Sequence, residues 1–411
     1  MRILIAHSRY RATEPSGENL VADQERALLA GAGHQVELYQ RSSDDVAEWS
    51  VGRKARLGLT SIRNPAVHRE LGRVLDRFRP DVVHVHNTFP MLSPSVLHAC
   101  AAGGVPVVAT IHNYNLLCPS AFFRDGRVCH DCIGGAVVPA LAHGCYRDSR
   151  LATLPVAVGT LVNRPSWRDL VSAYVFISSA QRDLMGSLGL PADRTFVKHN
   201  FVIPADPAAA GPRRGVVFSG RLTPTKGVEL LMQAWDLLLA RGVRDPRLLV
   251  VGSGPLEERV RAWAATRPSV VLTGRLAPAA ARAALVSAVA VVVPSQWEEA
   301  FGLVAVEAMA AGIPPIAPAH GAFVELVTDG VDGVLFAPGR ADRLADVLAA
   351  VHESPDRFLS LGEAALSTYL ARFTPDRSLE RLEEIYRYAV ANPRGVERSA
   401  RRLAPWGVPP P

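Results

Sequence analysis

The chain has 411 residues, 48% of them hydrophobic and 20% charged, more than a single core ordinarily organises, so two domains are expected. Its formal charge of +6 comes without a recognition-helix pattern, a zinc-finger array or an aromatic RNA-binding motif, which sets nucleic acid aside as a partner. No stretch approaches the ~20 consecutive apolar residues of a spanning helix.

The first residues, Met1 to Ser8, carry one positive charge and a very short apolar run. They read as a buried strand over Ile3–Ala6 rather than a signal peptide. A cytoplasmic location is therefore expected, with the five cysteines reduced. A helix follows from Asn19 to the stops at Gly31 and Gly33, then a strand over Gln35–Tyr39. Between Arg53 and Arg79 lie Lys54, Arg56, Arg63, Arg69, Arg73 and Arg77. This is either a solvated helix face or a patch that touches anionic lipid at the inner membrane surface. Strands are expected over Val82–His86, Val105–Ile111 and Tyr174–Ile177, with a helix over Ser179–Leu188. Such strand–helix alternation argues a parallel sheet covered on both faces.

The pattern restarts after Pro204–Pro212, which is rich in proline and turn residues and has no apolar period. Gly215–Ser219, Arg247–Val251, Val270–Thr273, Val289–Val293, Ile313–Ala317 and Gly333–Phe336 read as the strands of a second unit. From Thr374 the chain reads as helices, and Arg394–Pro411 as a frayed extension. The fold expected is α/β, with two Rossmann-like doubly wound parallel-sheet domains facing across a cleft. An acceptor domain covers 1–203, with a cysteine-rich insertion at 113–146, and a donor domain covers 204–373. Residues 374–411 are expected to pack back on the first domain. Ligands of such sheets bind beyond the carboxyl ends of the strands, so the loops there are where chemistry is sought.

After the strand ending at Gly220 come Arg221 and Lys226, just before a helix expected from Gly227. Two cations beside a helix N-terminus suit a diphosphate, Arg as a fork and Lys as a point charge; the plain alternative is two exposed loop cations. Glu299 and Glu307 have seven residues between them, including Phe301, Gly302 and Leu303. A helix starting near Leu303 leaves backbone amides free at its end. Glu307, inside an otherwise apolar helix, needs a partner, either a ribose diol or a structural arginine.

The string Ser219-Gly220-Arg221, then Lys226-Gly227, then Glu299 and Glu307 with Phe301-Gly302, resembles glycosyltransferase family 4 over nearly the whole chain. The resemblance implies the GT-B architecture and a retaining transfer that needs no metal cofactor. The donor would be a nucleotide-diphosphate sugar, UDP- or GDP-linked. The acceptor would be a hydroxyl, on a surface polysaccharide, glycolipid or metabolite, lipid-linked acceptors included. By that resemblance Arg221 and Lys226 hold the diphosphate, Glu299 the sugar hydroxyls and Glu307 the ribose. Phe301, Gly302 and Leu303 touch sugar and phosphate, and the loops at Gly252 and at Arg275-Leu276 surround the base. Gly17, in Pro15-Ser16-Gly17-Glu18-Asn19, matches the glycine loop beneath the phosphates, although relatives often carry two adjacent glycines there. His112 matches a histidine beside the reacting sugar. Glu18, Asn19, His86 and Asn87 are candidate acceptor contacts.

Cys118, Cys129, Cys132 and Cys145 are separated by ten, two and twelve residues. Four reduced cysteines with one closely spaced pair suit a structural zinc; small apolar packing is the alternative. The surrounding string resembles a bacterial subgroup of the family that carries the same four cysteines. A GT-B epimerase or phosphorylase would need flanking carboxylates or a cofactor lysine, and neither pattern is present. A nicotinamide enzyme would need a glycine fingerprint after the first strand, which is missing. A non-catalytic binding protein is the competitor from another class.

Overall fold

A computed structural model describes residues 1–10, 16–124, 126–204 and 212–395; the side chains of residues 47, 51 and 53–55 are outside that description. Pro15, Arg53 and Lys54 of the motifs above, most of the 204–212 linker and the end of the tail therefore lie outside the described side chains. The first half runs β1 (Arg2–Arg9), α1 (Gly17–Gly31), β2 (Gln35–Ser42), α2 (Val51–Ile62), α3 (Pro65–Phe78), β3 (Val82–Asn87), α4 (Ser95–Ala102), β4 (Val107–Ile111), the two-residue strands β5 (Phe123–Arg124) and β6 (Arg127–Val128), α5 (Val138–His143), α6 (Arg150–Leu170), β7 (Ala173–Phe176), α7 (Ser179–Leu184) and β8 (Thr195–Val197). The second half runs β9 (Val216–Ser219), α8 (Val228–Ala240), β10 (Leu248–Val251), α9 (Glu257–Ala265), β11 (Val270–Gly274), α10 (Pro278–Val286), β12 (Ala290–Val292), α11 (Leu303–Ala310), β13 (Pro315–Pro318), α12 (Phe323–Leu326), β14 (Val334–Phe336), α13 (Ala341–Glu353), α14 (Pro355–Arg372) and α15 (Pro375–Ala391).

Two six-stranded sheets result, ordered β2-β1-β3-β4-β7-β8 and β11-β10-β9-β12-β13-β14. Every pairing within them is parallel. This is the doubly wound, two-domain α/β arrangement expected. Central strands such as β4 are buried throughout, as a sheet covered by helices on both faces requires.

Local signals set the boundaries. Ser16 caps α1 by accepting from Asn19 N, and Asn64 caps α3 ahead of Pro65. The helix expected over Ser179–Leu188 stops at Leu184 and continues as a 3-10 turn over Gly186–Leu188. Elements without a counterpart in the sequence reading include the three-residue β8, the 21-residue α6, and β5, β6 and α5 of the cysteine segment.

The tail is one long helix among the described residues. α15 buries Leu382, Ile385, Tyr386 and Ala389 against Ile3, Ile5, Val108 and Val175 of the first sheet. The chain crosses between sheets at residues near 200 and 374, and an aromatic cluster holds that crossing. The His199 ring lies 5.3 Å from Phe373 and 6.0 Å from Phe301, and Tyr369 donates to Val202 O at 2.8 Å. Glu325 of α12 joins the two halves more directly. It accepts from the α7 amides of Ser179 and Ala180 at 2.7 and 3.2 Å and pairs with His199 at 2.7 Å. Burial raises its pKa, but His199 and the helix amides outweigh that and bring it down to about 2.

Candidate functional site

The loops that leave the second sheet are tied together. Gly220 N donates to Val251 O, Leu222 N to Ser253 O, and Gly252 N to Gly274 O, each within 3.0 Å. Gly252 has φ +145°, and a Cβ there would sit 1.9 Å from Gly220 O. Only glycine permits that approach. The same holds at Gly227 (φ +72°), where a Cβ would meet Pro294 O at 1.8 Å. That contact presses the start of α8 against the loop after β12. Arg221 is exposed on the first loop. Arg275 is exposed beside it, while Leu276 packs into the apolar cluster with Val217 and Val251.

Lys226 reaches across that contact to Glu299, with Nζ 3.0 and 2.9 Å from its two oxygens. Trp297 Nε1 and Ser295 Oγ also donate to Glu299, at 2.9 and 3.0 Å. Burial pushes the Glu299 carboxyl up, but Lys226 and these donors outweigh it and hold the group below the usual carboxylate range. The Lys226 ammonium also lies 5.5 Å from the centre of the Trp297 ring. Lys226 and Glu299 thus share one cluster and neutralise each other.

Four residues after Glu299, α11 begins at Leu303. Gly302 (φ +95°) precedes it, and no side chain caps it, so its first amides remain as donors. Glu307 is half-buried on this helix. Its carboxyl makes no hydrogen bond among the described residues, and Arg282 is its one resolved electrostatic partner. Of the two partners considered for it, the structural arginine does not close on it.

The first domain meets this edge. A Cβ on Gly17 would lie 3.1 Å from Leu303 Cδ1, so the N-termini of α1 and α11 face each other. Glu18 accepts from Asn87 Nδ2 at 3.2 Å and from Asn113. Burial drives its pKa up to about 7, with both amides opposing. Asn19 is committed elsewhere, its Oδ1 2.9 Å from His7 Nε2 and 3.2 Å from Tyr10 N. His112 is buried, with its ring stacked on His86 at 5.2 Å and its Nε2 3.0 Å from His86 Nδ1. Tyr114, two residues on, meets Trp297 edge-on at 6.3 Å. His86, Asn87, His112 and Asn113 are among the polar residues lining a cavity that is open to solvent. Phe89, Leu116, Tyr146 and Val156 are among its other walls.

The sequence reading missed what lies behind these residues. Glu25 of α1 is fully buried and pairs with Lys198 at 2.6 Å. Its other oxygen faces His86 Nε2 at 3.4 Å and His84 Nδ1 at 3.7 Å. Glu25, His84 and His86 could geometrically hold a cation, but the Lys198 ammonium already supplies the charge there, so a metal does not fit. A clue existed, since a Glu on the buried face of α1 needs a partner. Nothing in the sequence tells that the partner is Lys198, 173 residues away.

The four cysteines occupy one segment. Cys118 is in hydrogen-bond contact with Cys132, which brings the Cys118 thiol down to about 6. Cys145 lies within electrostatic reach of both Cys118 and Cys132. The segment also touches the second domain, where His130 lies 3.6 Å from Glu298.

Residues 17–206 match the model for glycosyltransferase family 4, and residues 202–368 match that for glycosyl transferases group 1. The chain is a family 4 glycosyltransferase. It is 29% identical over 384 residues to the phosphatidyl-myo-inositol mannosyltransferase of Mycobacterium leprae, covering 88% of this chain and 91% of that one. It is 35% identical over 180 residues to a D-inositol 3-phosphate glycosyltransferase of Kribbella flavida, covering 40% and 42%. The fold matches Anabaena HepE, solved with UDP, at TM-score 0.64 and 19% identity over 93% of this chain and 99% of that one. It also matches sucrose-phosphate synthase from Thermosynechococcus elongatus at TM-score 0.68 and 18% identity, over 95% and 99%.

The state of Glu307 is directly measurable. Burial pushes its pKa up to about 7 from an ordinary 4.5. A raised carboxyl withdraws stability as pH rises from the unfolded value through the folded one. Without donor, Glu307→Gln should therefore raise the melting temperature at about pH 8 and change it little at about pH 5. Equal shifts at both pH values would show that this carboxyl is not raised.

Proposed function

We propose that this glycosyltransferase moves a hexose, with retention, from a UDP- or GDP-sugar to a hydroxyl acceptor of surface polysaccharide, glycolipid or glycosylated-metabolite synthesis. The observation that carries the reading is that two cations, the N-termini of α8 and α11, neither capped by a side chain, and an unbonded carboxylate lie along one sheet edge. In this reading Arg221 and Lys226, with the amides at Phe301, Gly302 and Leu303, stabilise the charge that develops on the departing diphosphate. Glu307 takes the ribose diol, and the loops at Gly220, Gly252, Arg275 and Leu276 take the base. Glu299 and His112 position the sugar, and Gly17 lets the phosphates approach the first domain. Glu18, His86 and Asn87 face the acceptor; Asn19, spent on His7, acts by holding that loop. Glu299 is gripped by three donors, which disfavours it as an attacking nucleophile. A donor phosphate oxygen takes the acceptor proton instead.

No metal enters this chemistry. For the cysteine segment we propose a structural zinc held by Cys118, Cys129, Cys132 and Cys145. The proximity of Cys118 to Cys132, and the thiolate character of Cys118, fit such a donor set.

We also propose that the protein works at the inner membrane surface on a lipid-linked acceptor. The support lies in α6 more than in the arginine run, which is divided between α2 and α3. From Leu151 to Val162 α6 has no charged residue. One side packs on α2, where Gly58 meets Pro155 and Gly159 meets Ile62. Its outer side leaves Leu151 85%, Val162 61% and neighbouring Leu59 of α2 70% exposed. A helix apolar all round ordinarily needs cover. Arg56, Arg63, Arg147, Arg150 and Arg168, on or next to α2 and α6, are exposed, and that charge suits an anionic bilayer.

Thermal shift with UDP and GDP should show selective stabilisation, about 2.7 kcal/mol at a hundredfold excess over Kd. Arg221→Ala or Lys226→Ala should lower turnover about a hundredfold; no shift with any nucleotide favours a different site altogether. Protein purified without chelator should carry close to one zinc, and less than about a tenth of an equivalent removes the zinc reading. The protein should sediment with phosphatidylglycerol vesicles, and Leu151→Glu/Val162→Glu should abolish this. Failure of the unmodified chain to bind, with a concentration-dependent dimer in its place, would assign the face to a second copy.

A further inference from the structure

Behind His112 runs a buried chain of polar groups drawn from α1, β3 and the segments that follow β4 and β8. Lys198 follows β8, Glu25 is on α1, His84 and His86 are on β3, and His112 follows β4. His7 of β1 and Tyr386 of α15 close its sides, with His7 6.2 Å from His86 and the Tyr386 hydroxyl 2.8 Å from His84 Nδ1. Lys198 donates to Glu25 Oε1 at 2.6 Å and to Ser378 Oγ at 3.0 Å. Lys198 and Glu25 are buried almost completely.

The remaining hydrogens can be placed by asking which arrangement leaves no buried group alone. Glu25 Oε2 and His86 Nε2 face each other at 3.4 Å, and neither has any other hydrogen-bond partner. An ionised carboxylate only accepts. A proton on His86 Nε2 is the one assignment that serves both atoms. A neutral His86 then has a bare Nδ1, which must accept. The atom it faces, at 3.0 Å, is His112 Nε2. That nitrogen therefore carries the proton, and His112 Nδ1 is left with a lone pair. His84 follows the same logic separately. Its Nε2 donates to Thr110 Oγ1 at 2.7 Å, and its Nδ1 accepts from Tyr386.

We propose that Glu25 and His86, backed by Lys198, are positioning residues that fix His112 as the Nε2–H tautomer. Its Nδ1 is thereby presented to the cleft as an acceptor for a hydroxyl of the transferred sugar. The inference rests on the donor-site reading for the identity of that hydroxyl, and on the hydrogen-bond chain alone for the tautomer. His112 Nδ1 makes no hydrogen bond among the described residues, and the ring lines the open cavity. Burial keeps both rings neutral. It lowers His112 to about 3, against the pull of Glu25, and sets His86 well below the ordinary imidazole range. A neutral acceptor is what a sugar hydroxyl can donate to. An imidazolium in the same place would add positive charge beside a carbon that is itself becoming positive.

The test reads the proton directly. Nitrogen-15-labelled histidine in the full chain, with His112 assigned by its loss in His112→Gln, should show His112 neutral with its proton on Nε2 down to about pH 5. A proton on Nδ1, or a cation in that range, overturns the inference and leaves the donor site untouched. In the Glu25→Gln/Lys198→Met double variant, which removes both buried charges, the tautomer should become mixed. Turnover should fall about tenfold or more, as happens when a catalytic histidine loses its tautomer-setting partner. Nucleotide stabilisation and the KM for donor should remain as in the unmodified enzyme. Unchanged turnover in a folded double variant with a mixed tautomer overturns the role in transfer. Loss of nucleotide stabilisation in the unmodified chain would instead undo the donor-site reading.

Discussion

A parallel strand ends where the next crossover begins, and in this chain that constraint puts the chemistry on one edge of each sheet. Crossover connections in place of hairpins let all six strands of a sheet point the same way. The loops after β9, β10, β11 and β12 are then neighbours whatever their spacing in sequence. Backbone hydrogen bonds from Gly220 to Val251 and from Gly252 to Gly274 bind three of them into one surface. The fourth is pressed on by Gly227 through the Pro294 carbonyl. This is why Lys226 meets Glu299 across 73 residues. The same constraint in the first sheet brings His86 and His112 face to face from the ends of adjacent strands.

The two halves then handle buried charge differently. In the first, Glu25 and Lys198 are removed from water together; Lys198 also donates to Ser378, and the second Glu25 oxygen faces His86 and His84 at 3.4 and 3.7 Å. Taking a pair out of water recovers its cost only when the geometry is good and the leftover lone pairs are served. Here the serving groups are Ser378 and the histidines, which is how α15, the last described helix, becomes part of the interior of the first domain. In the second half the account is left open. Glu299 is closed by Lys226, Trp297 and Ser295, but Glu307 has only Arg282 at a distance. A carboxylate left this way in an apolar helix is costly without a ligand, and a diol that donates two hydrogen bonds would relieve it.

How much of this could be read from the chain depended on whether the signal was local. Strands were legible because β-branched runs such as Val82-Val83 and Val216-Val217 are bounded by turn residues. The starts of α8 and α11 were legible because Gly227 and Gly302 occupy backbone regions that other residues avoid. The α6 helix was hidden by Pro155 and Pro165, which ordinarily end helices. In the fold Pro155 packs on Gly58, and that contact compensates for what the ring disrupts. β8 was too short to carry a period. Arg221, Lys226, Glu299 and Glu307 could be singled out in the chain because their spacing is a pattern. Glu25 and Lys198 were missed because a lone Glu on a helix and a lone Lys after a strand are ordinary until the fold joins them. Asn19 was misjudged for the opposite reason. Its place in the glycine loop invited a ligand role, while its amide is consumed by His7 and Tyr10.

The Lys226–Glu299 pair states what donor arrival must change. Without a diphosphate, a lysine pointing into an anion site would be an unpaired cation, half out of water beside Trp297. Pairing with Glu299 removes that cost and keeps the carboxylate ionised. A diphosphate carries more negative charge than one carboxylate and brings several oxygens, so it competes for the ammonium on favourable terms. Glu299 is not then abandoned, because Trp297 Nε1 and Ser295 Oγ still donate to it. The face that Lys226 vacates becomes available to accept from a hydroxyl. In the proposed reading the same pair would serve as a resting-state lock and, once opened, as two separate contacts, one for phosphate and one for sugar. Tyr114 of the first domain, two residues after His112, lies against Trp297, which places that pair beside the strand end that carries His112.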